Sequence, residues 1–242
     1  MARSTKDSEV TKRKILLSAK HEFAEKGFNG ARMSSIAEHA GVNQALLHYH
    51  FESKENLYLN IFNTVMGDDI DKITVRIREE IKSWNQSPEV ELCATIYLMV
   101  KGHFQTHDKD LNRIFARDIA ENQGVIHDFA RKYMMPRIEL FDSFIKTGIE
   151  KGIFEISNSL MFTLSIVTFI SDYIHGEQFI KGTRMHKTLY RNKQETLYNY
   201  LLEQSFKTLA PAGKKLAIPV LTDEMKAKLD VFIDEIIELY TI

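Results

Sequence analysis

The chain contains a single cysteine, Cys93, so no intrachain disulfide can form and a reducing compartment is the simpler expectation. With only 4 prolines and 11 glycines among 242 residues, long helices are favoured over a turn-rich sheet architecture. The most apolar stretch, Leu160 to Ile170, is interrupted by Thr163, Ser165 and Thr168. It falls well short of the ~20 residues that a membrane span requires. The first residues are charged and lack the apolar segment of a signal peptide, so a cytoplasmic location with no membrane partner is expected. There is no Gly-rich phosphate loop, nucleophile elbow or metal-ligand cluster, and no cofactor is expected. A formal net charge of −1 excludes a chain that is basic throughout.

What is present is an ordinary globular composition, 44% hydrophobic and 27% charged, with charge distributed unevenly along it. Arg3, Lys6, Lys12, Arg13, Lys14 and Lys20 outnumber Asp7 and Glu9 at the start, whereas the end is acidic. One stretch organises the rest, Ser34 to Phe51. Ile36, Ala37 and Ala40 give a short helix an apolar face. Gly41 stands where that helix must stop, because glycine takes the left-handed conformation without penalty. Val42 plugs the turn, and Asn43 is a good N-cap for a second helix. Leu47 and Phe51 lie four apart on that helix's buried face. Gln44, Ala45, His48 and Tyr49 form the opposite face. Such a helix has the shape to enter a DNA major groove.

These residues resemble the TetR family of one-component transcriptional regulators. The resemblance rests on Ile36-Ala37, Ala40-Gly41-Val42, Leu47, His50-Phe51, Ser53-Lys54-Glu55 and Leu57. Upstream, Ile15-Leu16, Ala19, Phe23 and Gly27-Phe28 fit the family's first helix and its exit. Roughly the first quarter of the chain is covered. The fold implied is all-α: an N-terminal three-helix DNA-binding head with a helix-turn-helix, residues 1–62, and a larger helical effector-binding and dimerisation body, residues 63–242. The resemblance assigns DNA contacts to Arg32, Ser34, Ser35, Asn43, Gln44, Ala45, Leu46, His48, Tyr49, His50 and Lys54. Gln44 can pair bidentately with adenine, and Ala45 or Leu46 can pack on a thymine methyl. Arg32 stands where the family usually has threonine, so it brings charge but cannot cap. His48 replaces a commoner tyrosine and Ala45 a commoner glycine. His48 and His50, two apart on a helix, point away from each other and do not suggest a metal site.

Periodicity predicts the remaining elements. A first helix spans 8–26 and ends at Gly27. Ser35 and Glu38 have capping-box spacing near the start of the second helix. Ser53 caps a fourth helix that runs as one rod from Lys54 toward Trp84, with Gly67 as a possible bend. Pro88 opens a fifth helix reaching His107, on which His103 and His107 have metal-ligand spacing but no partner cluster. A short helix covers Leu111 to Glu121 and Gly124 breaks it. The next spans 126–150 with Pro136 inside as a kink. A helix from Asn158 to Ile174 is apolar nearly all round and so needs covering by another subunit. Residues 177–194 read as a polar connection. An amphipathic helix from Leu197 to Leu209 follows, then a last one from Thr222 to Tyr240 that lies beyond the family's usual end.

The reading is a homodimeric, ligand-responsive, sequence-specific DNA-binding regulator. In this reading it is a repressor released from a palindromic operator by a small-molecule effector. By resemblance, helices of the body line an effector cavity. Its candidate contacts are Trp84, Cys93, Tyr97, His103, Phe104, Phe115, Tyr133, Met134, Phe141 and Phe169, which are equally suited to being plain core. The alternatives are an all-helical interaction module without DNA binding, or an enzyme using scattered carboxylates such as Asp118 and Glu121. On polar helix faces such carboxylates are ordinarily solvated.

Overall fold

A computed structural model describes residues 2–66, 68–106, 108–121, 127 and 130–240. Every regular element among them is helical. In chain order these are α1 Ala2–Gly30, α2 Met33–Ala40, α3 Gln44–Phe51, α4 Lys54–Met66, α5 Asp68–Ser83, α6 Pro88–Gln105 and α7 Lys109–Glu121. A π-helical turn, Ala130–Met134, leads into α8 Met135–Glu150; then follow α9 Ser159–Ile180, α10 Arg184–Leu189, α11 Lys193–Leu209 and α12 Asp223–Tyr240. No helix among the described residues is long and apolar enough to cross a membrane. The chain forms two compact units: Met1–Asp71 with Asp108–Met134 and Glu238–Ile242, and Lys72–His107 with Met135–Ile237. We call them the head and the body.

The head is built on the stripe of α1. Ile15, Leu16, Ala19, Phe23 and Ala24 are buried with Ile36, Ala37 and Ala40 of α2, Leu47 and Phe51 of α3, and Leu57, Tyr58, Ile61 and Phe62 of α4. Burying each of the larger side chains contributes about 1.5–3 kcal/mol. The helical hydrogen bonding of α1 continues past Gly27, but Gly27 itself has φ 70 and ψ 173, so regular helix is interrupted where the spacing predicted an end. At the other end α1 starts at Ala2 instead of near residue 8.

A less expected member of the head is α7. Leu111 and Ile114 enter the head core, and Phe115 packs edge-on against Phe62 at 5.1 Å. Polar pairs run along its seam with α1: Lys20 to Asp108 at 2.5 Å, His21 to Asp110 at 3.3 Å, and Glu25 to Arg113. Burial pushes Asp108 toward the neutral form, but the bond from Lys20 and the backbone amides of Leu111 and Asp110 outweigh it and hold the carboxyl below its ordinary range. Asp118 was expected on a solvated face. It is instead 4% exposed and accepts a hydrogen bond from the Tyr58 hydroxyl at 3.3 Å. Burial first, and the neighbouring Asp118 second, push the Tyr58 phenol upward. This carboxylate has a structural role.

In the body, α6 lies against α8, α9 and α11, around Leu92, Ile96, Phe141, Ile145, Ile170 and Leu201. Pro88 takes the first position of α6 as predicted. Pro136 lies inside a continuous helical stretch, as expected: the π-helical turn directly precedes it and runs into α8 without a break, and a proline there removes one bond to the preceding turn. Residues 177–194 are not a plain connection either. α9 continues to Ile180, and α10 follows after a short turn. Tyr190 folds this segment back by stacking on Tyr173 at 4.5 Å, and its hydroxyl donates to the Tyr173 carbonyl at 2.6 Å.

Gly67, His107 and Gly124 lie outside the described residues, and so does the side chain of Tyr133. The expected rod from Lys54 to Trp84 is represented by α4 and α5 on either side of Gly67.

Two substitutions test the local packing. A Cβ built at Gly148 overlaps the Phe154 ring. Gly148→Ala should therefore destabilise the protein by about 1–3 kcal/mol in chemical denaturation, the usual effect of overpacking. The Asn43 side chain accepts from the Leu46 amide at 2.7 Å. Asn43→Ala should cost about 1 kcal/mol in the same experiment. Unchanged unfolding midpoints would contradict both assignments.

Candidate nucleic-acid interface

The recognition surface follows from how α2 and α3 end and begin. Arg32 is the extended residue before α2 and gives no side-chain cap, as expected of arginine. Ser35 lies inside α2, so the capping box that its spacing with Glu38 suggested is not used. Gly41 closes α2 with φ 68 and ψ 34, and its N–H together with that of Val42 returns to the carbonyls of Ala37 and Glu38. Val42 is half-buried against the head core. Asn43 then caps α3.

This turn fixes which side of α3 is hidden. Leu47 and Phe51 are buried, whereas Asn43, Gln44, Ala45, His48 and Tyr49 are exposed. Leu46 and His50 are half-buried at the edges. Tyr49 is 79% exposed, far more than an aromatic side chain in a core or seam, with the His50 ring edge-on to it at 5.3 Å. The Nδ1 of His48 lies 3.0 Å from the Glu52 carbonyl. A carbonyl only accepts, so Nδ1 carries the proton and Nε2 is left for other partners. Among the described residues, no group of three or more His, Cys, Asp or Glu is arranged to hold a metal ion.

The remaining predicted contacts lie at helix starts. Arg32, Ser34 and Ser35 border an open groove on the head with Glu22, Lys26, Gly30 and Glu38. Lys26 was not anticipated, since nothing in its spacing sets it apart from other solvated lysines on α1. Ser53 accepts from the Asn56 amide at 3.0 Å and so caps α4. Lys54, next to it, has its Nζ 5.0 Å from the centre of the Phe28 ring and donates to the Asn29 carbonyl at 3.4 Å. At 3.4 Å that bond is at the long limit, and the positive end of a helix beside it favours anions in general.

The predicted effector contacts do not form one group. Trp84, Cys93, Tyr97, Phe104 and Phe141 belong to the body core or pack against it. His103 is exposed, with Nδ1 bonded to the Met99 carbonyl at 2.7 Å. Phe115 packs in the head core, and Met134 falls in the head unit. Phe169 is 40% exposed and stacks on Tyr200 at 5.4 Å. Burial pushes the Cys93 thiol up to about 12, which makes it a poor nucleophile.

Comparison with known proteins agrees with this geometry. Residues 15–61 match the model for bacterial regulatory proteins of the tetR family. The chain is 23% identical over 140 residues to the fatty acid metabolism regulator protein of Bacillus subtilis (strain 168), covering 57% of this chain and 68% of that one. It is 36% identical over 67 residues to the HTH-type transcriptional repressor BepR of Brucella suis biovar 1 (strain 1330), covering 28% of this chain and 30% of that one. Its fold resembles that of a linker-substituted mutant of HlyIIR, with a TM-score of 0.60 at 20% identity over 86% of this chain and 99% of that one. The helix-turn-helix of the head lies within the matched segment, so residues 15–61 are similar to the DNA-binding part of bacterial tetR-family regulatory proteins.

Proposed function

We propose that the protein is a homodimeric repressor that holds a palindromic operator and leaves it when a small molecule binds the body. The observation that carries the DNA-binding part is the split of α3. Leu47 and Phe51 are buried, and Gln44, Ala45, His48 and Tyr49 are presented to solvent.

Gln44, Ala45 and Leu46 open α3, the part of a recognition helix that reaches base edges. Gln44 reads an adenine, and Ala45 and Leu46 meet thymine methyls. His48 offers Nε2, and Tyr49, His50 and Asn43 flank the groove. Arg32, Ser34 and Ser35 at the start of α2, and Lys54 at the start of α4, hold phosphates. Functionally, residues 1–62 bind DNA and residues 63–242 bind effector and partner. The dimer reading is supported by exposed apolar surface on α9 and α11. Leu160, Met161, Phe169 and Tyr200 are 43%, 63%, 40% and 46% exposed, and the last two are stacked on each other. A monomer seldom leaves such a patch uncovered. For the effector, Trp84, Tyr97, Phe104 and Phe141 suit an apolar or aromatic molecule. DNA and effector oppose each other by linkage, with the shift carried along α4 and α5.

These roles separate in binding experiments. An operator is first recovered by selection from a random duplex pool with the intact protein. Gln44→Ala should then weaken binding by about 1–3 kcal/mol and relax specificity at one base pair. Lys54→Ala should weaken all sequences about equally and reduce the salt slope by about 1. Failure to select any sequence would overturn the reading. For the dimer, Phe169→Glu should shift the sedimentation coefficient to that of a monomer, and an unchanged coefficient would remove α9 from the interface.

A further inference from the structure

The last helix contributes no residue to the recognition surface, and residues 223–237 of it are attached to the body at chosen points. Its inner face buries Leu229 and Ile233 completely and Phe232 almost so, and Leu221 is buried in the segment before it. One edge meets α5. The Arg76 guanidinium bonds both oxygens of Glu235, at 2.6 and 3.1 Å, and lies over the Phe232 ring at 5.3 Å. One turn along α5, Glu80 meets Lys228 at 3.4 Å and also accepts from the Trp84 indole at 2.9 Å. The other edge meets α6. Asp230 accepts from the Tyr97 hydroxyl at 2.8 Å and pairs with Lys101 at 2.6 Å.

These contacts follow a single register. Arg76 and Glu80 are four apart on α5; Glu235 and Lys228 are seven apart in the reverse order on α12. The helices therefore run antiparallel, with α12 bridging α5 to α6. An exposed ion pair contributes little alone. Here the pairs lie over an apolar strip and select one position along it, so they act on register more than on adhesion. The helix so gripped is where the chain first passes from head to body, at Asp71–Lys72.

We propose that α12 is a regulatory strap: it holds α5 in one register on the body and so sets the DNA affinity of the head, and its release lowers that affinity. The proposal rests on the DNA-binding reading above. It also gives Trp84, Cys93 and Tyr97 a shared location. Tyr97 bonds α12 directly, Trp84 does so through Glu80, and the Cys93 thiol donates to the Pro219 carbonyl at 3.6 Å. A molecule occupying that place would displace the strap.

The test is a charge swap in the full-length protein. Arg76→Glu and Glu235→Arg are made singly and together. Amide exchange in residues 72–83 and affinity for the operator selected by the intact protein are then measured. Each single variant should speed exchange there several-fold and weaken operator binding at least threefold. The double variant, with the pair reversed, should restore both. Unchanged exchange in the single variants would overturn the strap. So would faster exchange with unaltered DNA affinity, which would leave α12 a plain brace, or a double variant that restores nothing. If the intact protein selects no operator, the DNA-binding reading fails first and the regulatory role falls with it.

Discussion

The burial of Leu47 and Phe51 beneath α3 is the constraint on which the rest depends. Both side chains insert into the core formed by α1, α2 and α4. Their removal from water fixes the rotation of a helix only two turns long, too short to be stable by itself. Once that rotation is set, the outward direction of Gln44, Ala45, His48 and Tyr49 follows from the 100° step of the helix. Gly41 and Asn43 refine this by ending α2 and starting α3 within a few residues, so there is no slack in which α3 can turn.

The head reaches further along the chain than a three-helix motif. By giving Leu111 and Ile114 to the head core, α7 ties a segment after α6 to the DNA-binding unit. The Tyr58–Asp118 bond and the pairs to Lys20, His21 and Glu25 fix α7 along α1. The exposed pairs contribute little, whereas the buried Tyr58–Asp118 bond penalises other arrangements, because an unpaired carboxylate in that position is costly. The chain crosses between head and body at four places, 71–72, 107–108, 134–135 and 237–238, the first of them within α5 and the last within α12.

The parts legible in the sequence were those dictated by neighbours in the chain. Gly41, Asn43, Ser53 and Pro88 marked helix ends through local backbone chemistry, and each holds such a position. The stripe of α1 and the buried face of α3 were read from periodicity. What escaped depends on distant residues. Asp118 looks like a surface carboxylate until Tyr58, sixty positions earlier, is brought against it. Phe115 looks like a cavity aromatic until Phe62 meets it in the head. α10 is six residues long and mostly polar, and is held by Tyr190 stacking on Tyr173, which no local pattern reveals. Ser35 and Glu38 had cap spacing by coincidence, since Arg32 already occupies the extended position before α2.

The central claim, that two copies of α3 lie in neighbouring major grooves, is tested most directly by a distance between spin labels. His39 is exposed on α2 and has no assigned DNA contact, and Cys93 is buried with its thiol pushed up to about 12, so a His39→Cys protein takes label at one place per chain. With operator bound, pulsed electron resonance should give a single narrow distance, the one that recognition helices one turn of DNA apart, about 34–36 Å, impose on the labels. A broad distribution, or a distance unaltered by DNA and far from the one so imposed, would contradict the account.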